Sequence, residues 1–314
     1  MIIQENIPLI DKNWFRTGGP ARYFCSPHTQ NKFRDALLFA QQHDLQIFIL
    51  GHGANVLIND AGFDGLIIQP QLKNISIQEE NDQIALVTAQ AGCSIAEVIQ
   101  YCFAHNISGL EEFSGIPGTI GGAAYINLHY FEFLLAHFIV DARIIHKDSG
   151  TIEKVSTQWF SYGYNYSTLI HKKQYIIDVT FRLKKISDTE CAYARGRSNE
   201  IIRHRQKRYP QEGTCGSFFR NFFPHEVLLE KNKQKIIWIA YYLDKIGVKG
   251  QLNVGNAYVS HQHANMIVNH HNATTGDIIK LARTMQKLIK KNFDILPHPE
   301  CQLVGFKENP LLTK

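Results

Sequence analysis

The spacing of apolar residues predicts a helix and two buried strands in the first seventy residues. Apolar side chains recur at helical intervals between Phe33 and Ala40. Residues 47–50 and 66–68 form short apolar runs, each closed within two residues by a glycine or a proline. Runs of this length between turn signals are typical of buried strands, so a first lobe is predicted to end near residue 70.

Stronger signals of the helix period and of the strand period follow up to residue 183. Ser94 and Glu97 form a capping-box pattern, which predicts a helix that continues to about residue 105. Residues 138–145 and 151–155 flank a Lys-Asp-Ser-Gly sequence and predict a hairpin. Alternating side chains at residues 175–183 predict a half-buried strand.

The sequence predicts a further unit in the last third of the chain, after a polar boundary segment at residues 184–188. A helix is predicted around 236–246, an amphipathic helix with its apolar face at 278–289, and a final strand at 301–306. Antiparallel strand signals are mixed with helices, and no sustained β-α-β alternation is present. The predicted fold class is therefore α+β.

Composition narrows the class of protein. The 314 residues are 44% hydrophobic and 19% charged, which excludes a disordered or collagen-like chain. No apolar run reaches the roughly 18 residues that a membrane span needs, and the first residues lack the pattern of a signal peptide. Six scattered cysteines without a Cys-x-x-Cys pair favour free thiols in a reducing compartment. A cytoplasmic location is predicted.

The net charge of +5 slightly favours anionic ligands such as nucleotides. The basic stretch, residues 195–208, predicts either a solvated helix face or a phosphate contact. It lacks the interleaved aromatic residues of a nucleic-acid site, so no nucleic-acid partner is predicted. Histidines at 261, 263, 270 and 271 match no familiar ligand spacing, so no metal is predicted.

Two glycine-dense loops carry the strongest functional signal. The first comprises Gly51, His52, Gly53, Ala54 and Asn55, directly after a predicted strand. The second, residues 115–123, holds four glycines and a proline and cannot lie inside a regular element. Consecutive N–H groups in such loops can form an anion-binding nest. A dinucleotide is therefore suggested, with a pair of ordinary turns as the alternative.

A third loop, residues 213–221, presents a serine. Ser217 follows a glycine and precedes two phenylalanines and an Arg-Asn pair. The Gly-x-Ser-x-Gly pattern of a nucleophile elbow is absent. The residues alone leave two interpretations open, a hydroxyl exposed over a ligand and an ordinary serine turn.

Several segments together resemble the UDP-N-acetylenolpyruvoylglucosamine reductase (MurB) family of peptidoglycan precursor synthesis. They keep the family's order and cover nearly the whole chain. The segments are 15–21, 51–55, 115–123, 216–219, 249–250, 259–260, 263–265, 267–269 and 299–300. The sequence GIPGTIGGA at 115–123 is the most specific of them. The length resembles the shorter subtype of the family.

The resemblance implies a fold, cofactors and a reaction. Residues 1–188, with a break near residue 70, are expected to bind FAD non-covalently between two lobes of the vanillyl-alcohol-oxidase (PCMH) type. Residues 189–314 are expected to form an α+β substrate domain. NADPH reduces FAD, and the enolpyruvyl UDP-sugar then takes a hydride at C3 and a proton at C2. The product is UDP-N-acetylmuramate, and a monomer is expected.

The resemblance also implies three sets of site residues. Ser217 matches the proton-donating serine, and Glu300 matches the glutamate that assists it. The cofactor-binding residues are predicted to be Gly51, His52, Gly53, Ala54, Asn55, Gly115, Ile116, Pro117, Gly118, Thr119, Gly121, Gly122 and Ala123. The substrate-binding residues are predicted to be Tyr164, Asn165, Arg220, Asn221 and Lys249.

Three positions depart from the family pattern. Asn165 stands at the arginine of a Tyr-Arg-x-Ser segment, and Gln302 replaces an arginine two residues after the glutamate. A substrate carboxylate would then have to be met by Lys249, Arg220 or the basic stretch. His52 stands where a small residue is usual. It predicts a histidine beside the FAD pyrophosphate, with a covalent histidyl–flavin link as the alternative.

These departures keep other functions open beside the leading hypothesis of an FAD-dependent reductase of the family type. One alternative is a divergent relative that reduces a different, uncharged alkene. The other is a flavin- or nucleotide-binding paralogue without catalysis.

Overall fold

A computed structural model describes residues 2–171, 173–211 and 213–311. These residues form α-helices and mainly antiparallel strands. The helices are α1 (Gln30–Gln42), α2 (Ile95–Ala104), α3 (Ile120–Tyr125), α4 (Asp188–Arg208), α5 (Ile239–Lys245) and α6 (Thr275–Phe293). The strands are β1 (Gln4–Pro8), β2 (Pro20–Cys25), β3 (Ile47–Ile49), β4 (Val56–Ile58), β5 (Phe63–Ile68), β6 (Ile75–Glu79), β7 (Ile84–Gln90), β8 (Ile107–Ser108), β9 (His129–Tyr130), β10 (Phe133–Leu134), β11 (Ile139–His146), β12 (Ile152–Ser156), β13 (Gln174–Lys185), β14 (Glu230–Lys231), β15 (Gln234–Lys235), β16 (Asn253–Val254), β17 (Ala257–Val259), β18 (Ile267–Asn269) and β19 (Gln302–Val304). The predicted α+β class is confirmed.

The chain divides into two compact units. Unit 1 comprises Met1–Glu5, Tyr23–His52 and Gly65–Arg205, and unit 2 comprises Asn6–Arg22, Gly53–Asp64 and Gln206–Lys314. This division differs from the predicted boundary at residue 188.

The core clusters explain the difference in boundary. Cys191 and Ile201 of α4 are buried in the same apolar cluster as α2, which draws this helix into unit 1. Phe15 and Leu57 are buried in the cluster that contains α5 and α6, which draws two early segments into unit 2. The assignment of FAD to 1–188 and substrate to 189–314 stays a prediction.

Unit 1 contains a six-stranded sheet with the order β12-β11-β13-β7-β6, in which β8 also pairs with β13. The predicted hairpin is confirmed, since β11 and β12 pair antiparallel with Ala142 opposite Val155. The predicted capping box is confirmed as well. The Ser94 hydroxyl accepts a hydrogen bond from the Glu97 N–H at 3.0 Å, at the start of α2.

The prediction of a half-buried strand at 175–183 is wrong for its middle part, because residues 176–181 of β13 are all buried. Strand β13 lies at the centre of the sheet, between β11 and β7, and its side chains pack in two different core clusters, which buries both of its faces. A register shift against β11 at Arg143 and Ile144 breaks the alternation. As a result Ile177 packs in the cluster around α1, whereas Val179 packs in the cluster around α2.

Unit 2 contains the antiparallel sheet β16-β17-β18, the parallel pair β4 and β19, and helices α5 and α6. Helix α5 begins at Ile239, later than predicted, because the preceding residues belong to the β14–β15 hairpin and its exit. Strand β19 is shorter than predicted, because three residues pair with β4.

Two further findings concern the cysteines and the helices. Each of the six cysteines is buried with a free thiol. Within the described ranges, no helix has the length and apolar character to cross a bilayer.

The N-terminal cap of α6 gives a test of the fold. The Thr274 hydroxyl accepts from the Asp277 N–H at 3.0 Å, and the Asp277 carboxylate accepts from the Thr274 N–H at 3.1 Å. We expect Thr274→Ala to lower the free energy of unfolding by about 1 kcal/mol in urea denaturation. Thr284→Ala is the control, because this hydroxyl donates to the Lys280 carbonyl inside the same helix. We expect a change within about 0.5 kcal/mol there; equal losses would show that the cap does not stabilise α6.

Candidate functional site

Gly51, at the start of the first glycine loop, lies close to Thr119 of the second loop within unit 1. A Cβ atom at Gly51 would lie 2.6 Å from Thr119 Oγ1, closer than real side chains approach. Glycine is therefore required for this approach. Thr119 caps the N-terminus of α3, since its hydroxyl accepts a hydrogen bond from the Gly122 N–H at 3.3 Å. Residues 120–123 lie inside this helix, so the prediction that the segment 115–123 lies outside regular elements is wrong for them. The Thr119 cap and close packing against Ala91 allow two glycines in the first turn of the helix.

Several main-chain N–H groups in the two loops have no partner among the described residues. Among the residues that the structure describes, the N–H groups of 51–55, Gly118 and Thr119 donate no hydrogen bond. Asn55 uses its carbonyl instead, which accepts from the Gln302 N–H at 3.0 Å. Unused N–H groups on consecutive residues are the donors that bind phosphate oxygens.

The glycines of the second loop serve two purposes. A Cβ at Gly121 would lie 2.9 Å from Ala91 Cβ, so this glycine allows α3 to pack closely on the main chain beside it. At Gly122 and Gly118 the nearest atoms would be 3.5 and 3.7 Å away, so both positions face space. A ligand can therefore approach the main chain at Gly118 and Gly122.

The rest of the second loop is held from inside unit 1. The Gly115 carbonyl accepts from Arg205 Nε at 3.1 Å, and the Ile116 N–H donates to the Phe113 carbonyl at 3.2 Å. Pro117 follows in the same loop, and Ala123 is buried within α3.

The basic stretch is largely the face of a helix, one of its two predicted interpretations. Residues 195–208 belong to α4. Arg197 forms two hydrogen bonds to the Glu112 carboxylate at 2.8 and 2.9 Å. Arg203 pairs with Glu200 at 3.1 Å. These guanidinium groups are engaged by the protein itself.

His52 is held neutral near pH 7. Burial lowers the pKa of its imidazole, and the charge of Lys73 lowers it further, with a smaller opposing effect of Glu97. A neutral imidazole can donate one hydrogen bond and accept another. A neutral ring suits both alternatives left open for His52, so the choice between them stays a prediction.

Tyr164 and Asn165 lie beside His129 in unit 1. The rings of Tyr164 and His129 are 4.9 Å apart, and burial lowers the pKa of His129. Asn165 has a left-handed backbone with φ of 50°. Both polar atoms of its amide are buried, and within the described chain they have no hydrogen-bond partner. The position of the family arginine is thus taken by a buried, neutral amide.

Ser217 and Glu300 lie on neighbouring segments of unit 2. An antiparallel bridge pairs Phe219 with Pro299, and the Glu300 N–H donates to the Phe218 carbonyl at 2.8 Å. The Ser217 hydroxyl forms no hydrogen bond to any described residue. The structure therefore brings the two predicted catalytic residues onto one paired element and leaves the hydroxyl available.

Two predicted substrate residues after Ser217 have protein partners. The Arg220 guanidinium donates to both Glu226 carboxylate oxygens at 2.8 and 2.7 Å, which lowers the pKa of Glu226 to about 2. The Asn221 Oδ1 atom accepts from the Ile239 N–H at 3.2 Å, where α5 begins. The charge of Arg220 is already compensated, so it is poorly suited to meet a substrate carboxylate.

A cationic cluster around His263 was not assembled from the sequence. Burial lowers the pKa of His263 to about 4, and the charges of Arg208 and Lys249 add to this effect. His263 Nδ1 accepts from the Asn265 N–H at 3.2 Å, which leaves Nε2 as the N–H donor. Lys249 is exposed and forms no ion pair with the described residues. Two cations and an N–H donor together suit an anionic ligand.

The signals for this cluster were present in the sequence but were not combined. The His-Ala-Asn segment was recognised without a role, and Arg208 was treated as part of the basic stretch. Their proximity depends on the fold of unit 2. In the ranges that the structure covers, no group of three or more His, Cys, Asp or Glu side chains could hold a metal ion.

Comparisons with known proteins place this site in a family. Residues 21–156 match the family model described as FAD binding domain, and residues 208–304 match the C-terminal domain of UDP-N-acetylenolpyruvoylglucosamine reductase. A protein of Trichormus variabilis named UDP-N-acetylenolpyruvoylglucosamine reductase is 31% identical over 291 residues, which cover 93% of this chain and 83% of that protein. The chain belongs to the UDP-N-acetylenolpyruvoylglucosamine reductase family.

Further relatives of the MurB family agree in extent and in fold. A protein of the same name from Clostridium perfringens (strain SM101 / Type A) is 28% identical over 307 residues, which cover 96% of this chain and 93% of that protein. The crystal structure of MurB from Thermus caldophilus matches 96% of this chain and 100% of its own, with a TM-score of 0.77 at 23% identity. The predicted family, fold and FAD cofactor are confirmed. The unused N–H groups of Gly118 and Thr119 and the space at Gly122 fit such a cofactor.

The two adjacent glycines of α3 separate cofactor contact from packing. We expect Gly122→Ala to weaken FAD binding at least about tenfold in titrations of the FAD-free protein, because its Cβ would occupy open space that the cofactor can approach. We expect no loss of thermal stability in the FAD-free protein, since alanine favours a helix by about 1 kcal/mol. Gly121→Ala is the control and should lower the stability of the FAD-free protein itself. Unchanged FAD affinity in Gly122→Ala would place the cofactor elsewhere.

His263 makes stability depend on pH. Its folded pKa of about 4 lies below the usual 6.5, so between these values the unfolded chain binds a proton that the folded chain excludes. The stabilisation is complete above about pH 6.5 and is lost as the pH falls toward 4, by up to about 3 kcal/mol. We expect His263→Gln to flatten this dependence in urea denaturation, and His28→Gln, at an exposed position, to leave it unchanged. A steep dependence that persists in His263→Gln would assign it to other groups.

Proposed function

We propose that the protein is an FAD-dependent reductase that uses NADPH to reduce the enolpyruvyl C=C bond of UDP-N-acetylglucosamine enolpyruvate to UDP-N-acetylmuramate. The observation that carries the proposal is the Ser217 hydroxyl, which has no hydrogen-bond partner among the described residues and lies on the segment paired with that of Glu300. The choice of NADPH, the role in peptidoglycan precursor synthesis and a cytoplasmic monomer are inferred from the family.

The residues of unit 2 supply the proton in this mechanism. A bound FAD would take a hydride from NADPH and would pass it to C3 of the substrate. Ser217 Oγ then donates a proton to C2. A hydroxyl is a weak acid, so it needs a neighbour that orients and polarises it, and Glu300 on the paired segment is the group that we assign to this task. General acid catalysis of this kind contributes about 10²–10⁴ in rate.

The substrate diphosphate is proposed to bind at the cluster around His263. Lys249 and Arg208 offer positive charge, and His263 Nε2 offers a neutral N–H donor. Charge-assisted hydrogen bonds to phosphate oxygens are about twice as strong as neutral ones. Tyr164 and Asn221 remain proposed substrate contacts on the basis of the family pattern.

A second candidate function follows from the family positions that lack a cation. Asn165 is a buried amide, Gln302 is uncharged, and Arg220 is compensated by Glu226. A relative that reduces an uncharged alkene with the same flavin would need none of these charges. A third candidate is a flavin-binding protein without catalysis, and the experiment must distinguish it from the two reductases.

The two half-reactions test the proposal. In anaerobic stopped-flow measurements, NADPH should bleach the flavin of the wild type and the enolpyruvyl UDP-sugar should restore its colour. We expect Ser217→Ala to keep the reduction rate within about twofold and to slow reoxidation about 100-fold, because the proton is needed only in the second half. Ser149→Ala, in an exposed turn, is the control and should change neither rate.

The other outcomes identify the alternatives. Reduction by NADPH without reoxidation by the UDP-sugar would favour the divergent reductase. A flavin that NADPH does not reduce would favour the non-catalytic protein. Equal slowing of both halves in Ser217→Ala would remove Ser217 from proton donation.

A further inference from the structure

We propose that Asn265 is a positioning residue that holds Ser217 in place relative to Glu300. The inference rests on the proposed function, because it acts through the proton donor of the second half-reaction. It assigns a role to a side chain that does not itself match a predicted catalytic or binding residue.

Asn265 is buried and binds the two residues that follow Ser217. Its Oδ1 atom accepts from the Phe219 N–H at 3.1 Å, and its Nδ2 atom donates to the Phe219 carbonyl at 2.7 Å. Its own carbonyl accepts from the Phe218 N–H at 2.8 Å. The amide thus pairs with both main-chain groups of Phe219, as a neighbouring strand would.

The opposite edge of the same segment binds the Glu300 segment. The Phe218 carbonyl accepts from the Glu300 N–H at 2.8 Å, and the Arg220 N–H donates to the His298 carbonyl at 3.0 Å. Residues 218–220 therefore lie between Asn265 on one side and residues 298–300 on the other. Ser217 directly precedes this segment, so its position depends on the hydrogen bonds at both edges of residues 218–220.

The chemistry of the side chain explains why an amide is suited to this position. Phe218 and Phe219 are both 0% exposed, and buried main-chain groups must be paired to avoid a desolvation cost. Asparagine supplies one donor and one acceptor in a short side chain. The Asn265 N–H donates to His263 Nδ1 at 3.2 Å, which fixes the main chain that carries the amide.

A shift of Ser217 should affect proton donation far more than flavin reduction. A misplacement of about 1 Å in a reacting group can cost about 100-fold in rate. Reduction by NADPH does not use the Ser217 proton. A changed ratio between the rates of the two half-reactions therefore indicates a positioning role. A general loss of stability would not change that ratio.

The experiment measures both half-reactions of the FAD-loaded protein by anaerobic stopped flow. Asn265→Leu removes both side-chain hydrogen bonds and excludes water. Asn265→Ala leaves room for a bridging water and serves as the milder variant. We expect Asn265→Leu to retain FAD, to keep reduction within about twofold and to slow reoxidation at least about tenfold, with a smaller loss in Asn265→Ala.

A double substitution separates action through Ser217 from an independent effect. In the Ser217→Ala background, we expect Asn265→Leu to slow reoxidation by less than about twofold, because residues that act as a unit are not additive. Asn269→Leu is the matched control. Asn269 donates to the Phe15 and Arg16 carbonyls at 2.9 Å and accepts from the Ala273 N–H at 2.7 Å. It should lower stability without changing the ratio of the half-reactions.

Three results would overturn the positioning role. These are equal slowing of both halves in Asn265→Leu, a full effect that persists in the Ser217→Ala background, and loss of FAD or of folding in both Asn265 variants. If the wild type is not reoxidised by the enolpyruvyl UDP-sugar, the proposed function fails and this inference fails with it. If the wild type is reoxidised and one of the three results is found, only the role of Asn265 fails.

Discussion

The pairing of buried main-chain groups around Phe219 is the constraint on which the candidate catalytic pair depends. Its N–H and carbonyl are satisfied by the Asn265 amide, and the neighbouring groups are satisfied by residues 298–300. Removing either partner would leave a buried polar group unpaired, at a cost of about 1–3 kcal/mol. The segment after Ser217 is therefore held at both edges, while no described residue forms a hydrogen bond with the serine hydroxyl.

The glycine loops follow the opposite rule. Their N–H groups at 51–55, Gly118 and Thr119 have no partner within the described residues, although the carbonyls of Gly51 and Asn55 are used. Unused donors beside a mainly glycine backbone indicate a place that a ligand completes, because exposed N–H groups without a ligand must be satisfied by water. Paired main-chain groups at Phe218 and Phe219 thus distinguish the candidate catalytic segment, whereas N–H groups without a partner among the described residues distinguish the candidate cofactor loops.

Local patterns in the sequence predicted the elements well, because helix and strand periods depend on neighbours a few residues apart. The Ser94 capping box, the β11–β12 hairpin and the apolar face of α6 are examples. Features set by distant residues could not be predicted in this way. Burial of both faces of β13 depends on the two core clusters that its side chains join and on a register shift against β11, and the alternation of its side chains did not indicate this.

The candidate site shows the same division. The glycines and Ser217 could be proposed from the sequence because their residue types are unusual at that spacing and match a family pattern, and their roles stay predictions. The pairing of Arg220 with Glu226 was missed because an arginine near the predicted catalytic serine was expected to bind substrate. An ion pair with a residue six positions later was not considered. The cluster of Arg208, Lys249 and His263 was missed because its members are far apart in sequence.

The charge balance of unit 2 limits what its cations can recognise. Arg220 is neutralised by Glu226, whereas Lys249 and Arg208 form no ion pair with the described residues. A diphosphate carries more negative charge than a carboxylate, so it competes more strongly for these two cations. A substrate carboxylate would then depend on neutral donors, which bind it about half as strongly as charged ones. For the proposed UDP-sugar substrate, charge at this cluster would therefore support recognition of the UDP moiety more than recognition of the enolpyruvyl carboxylate.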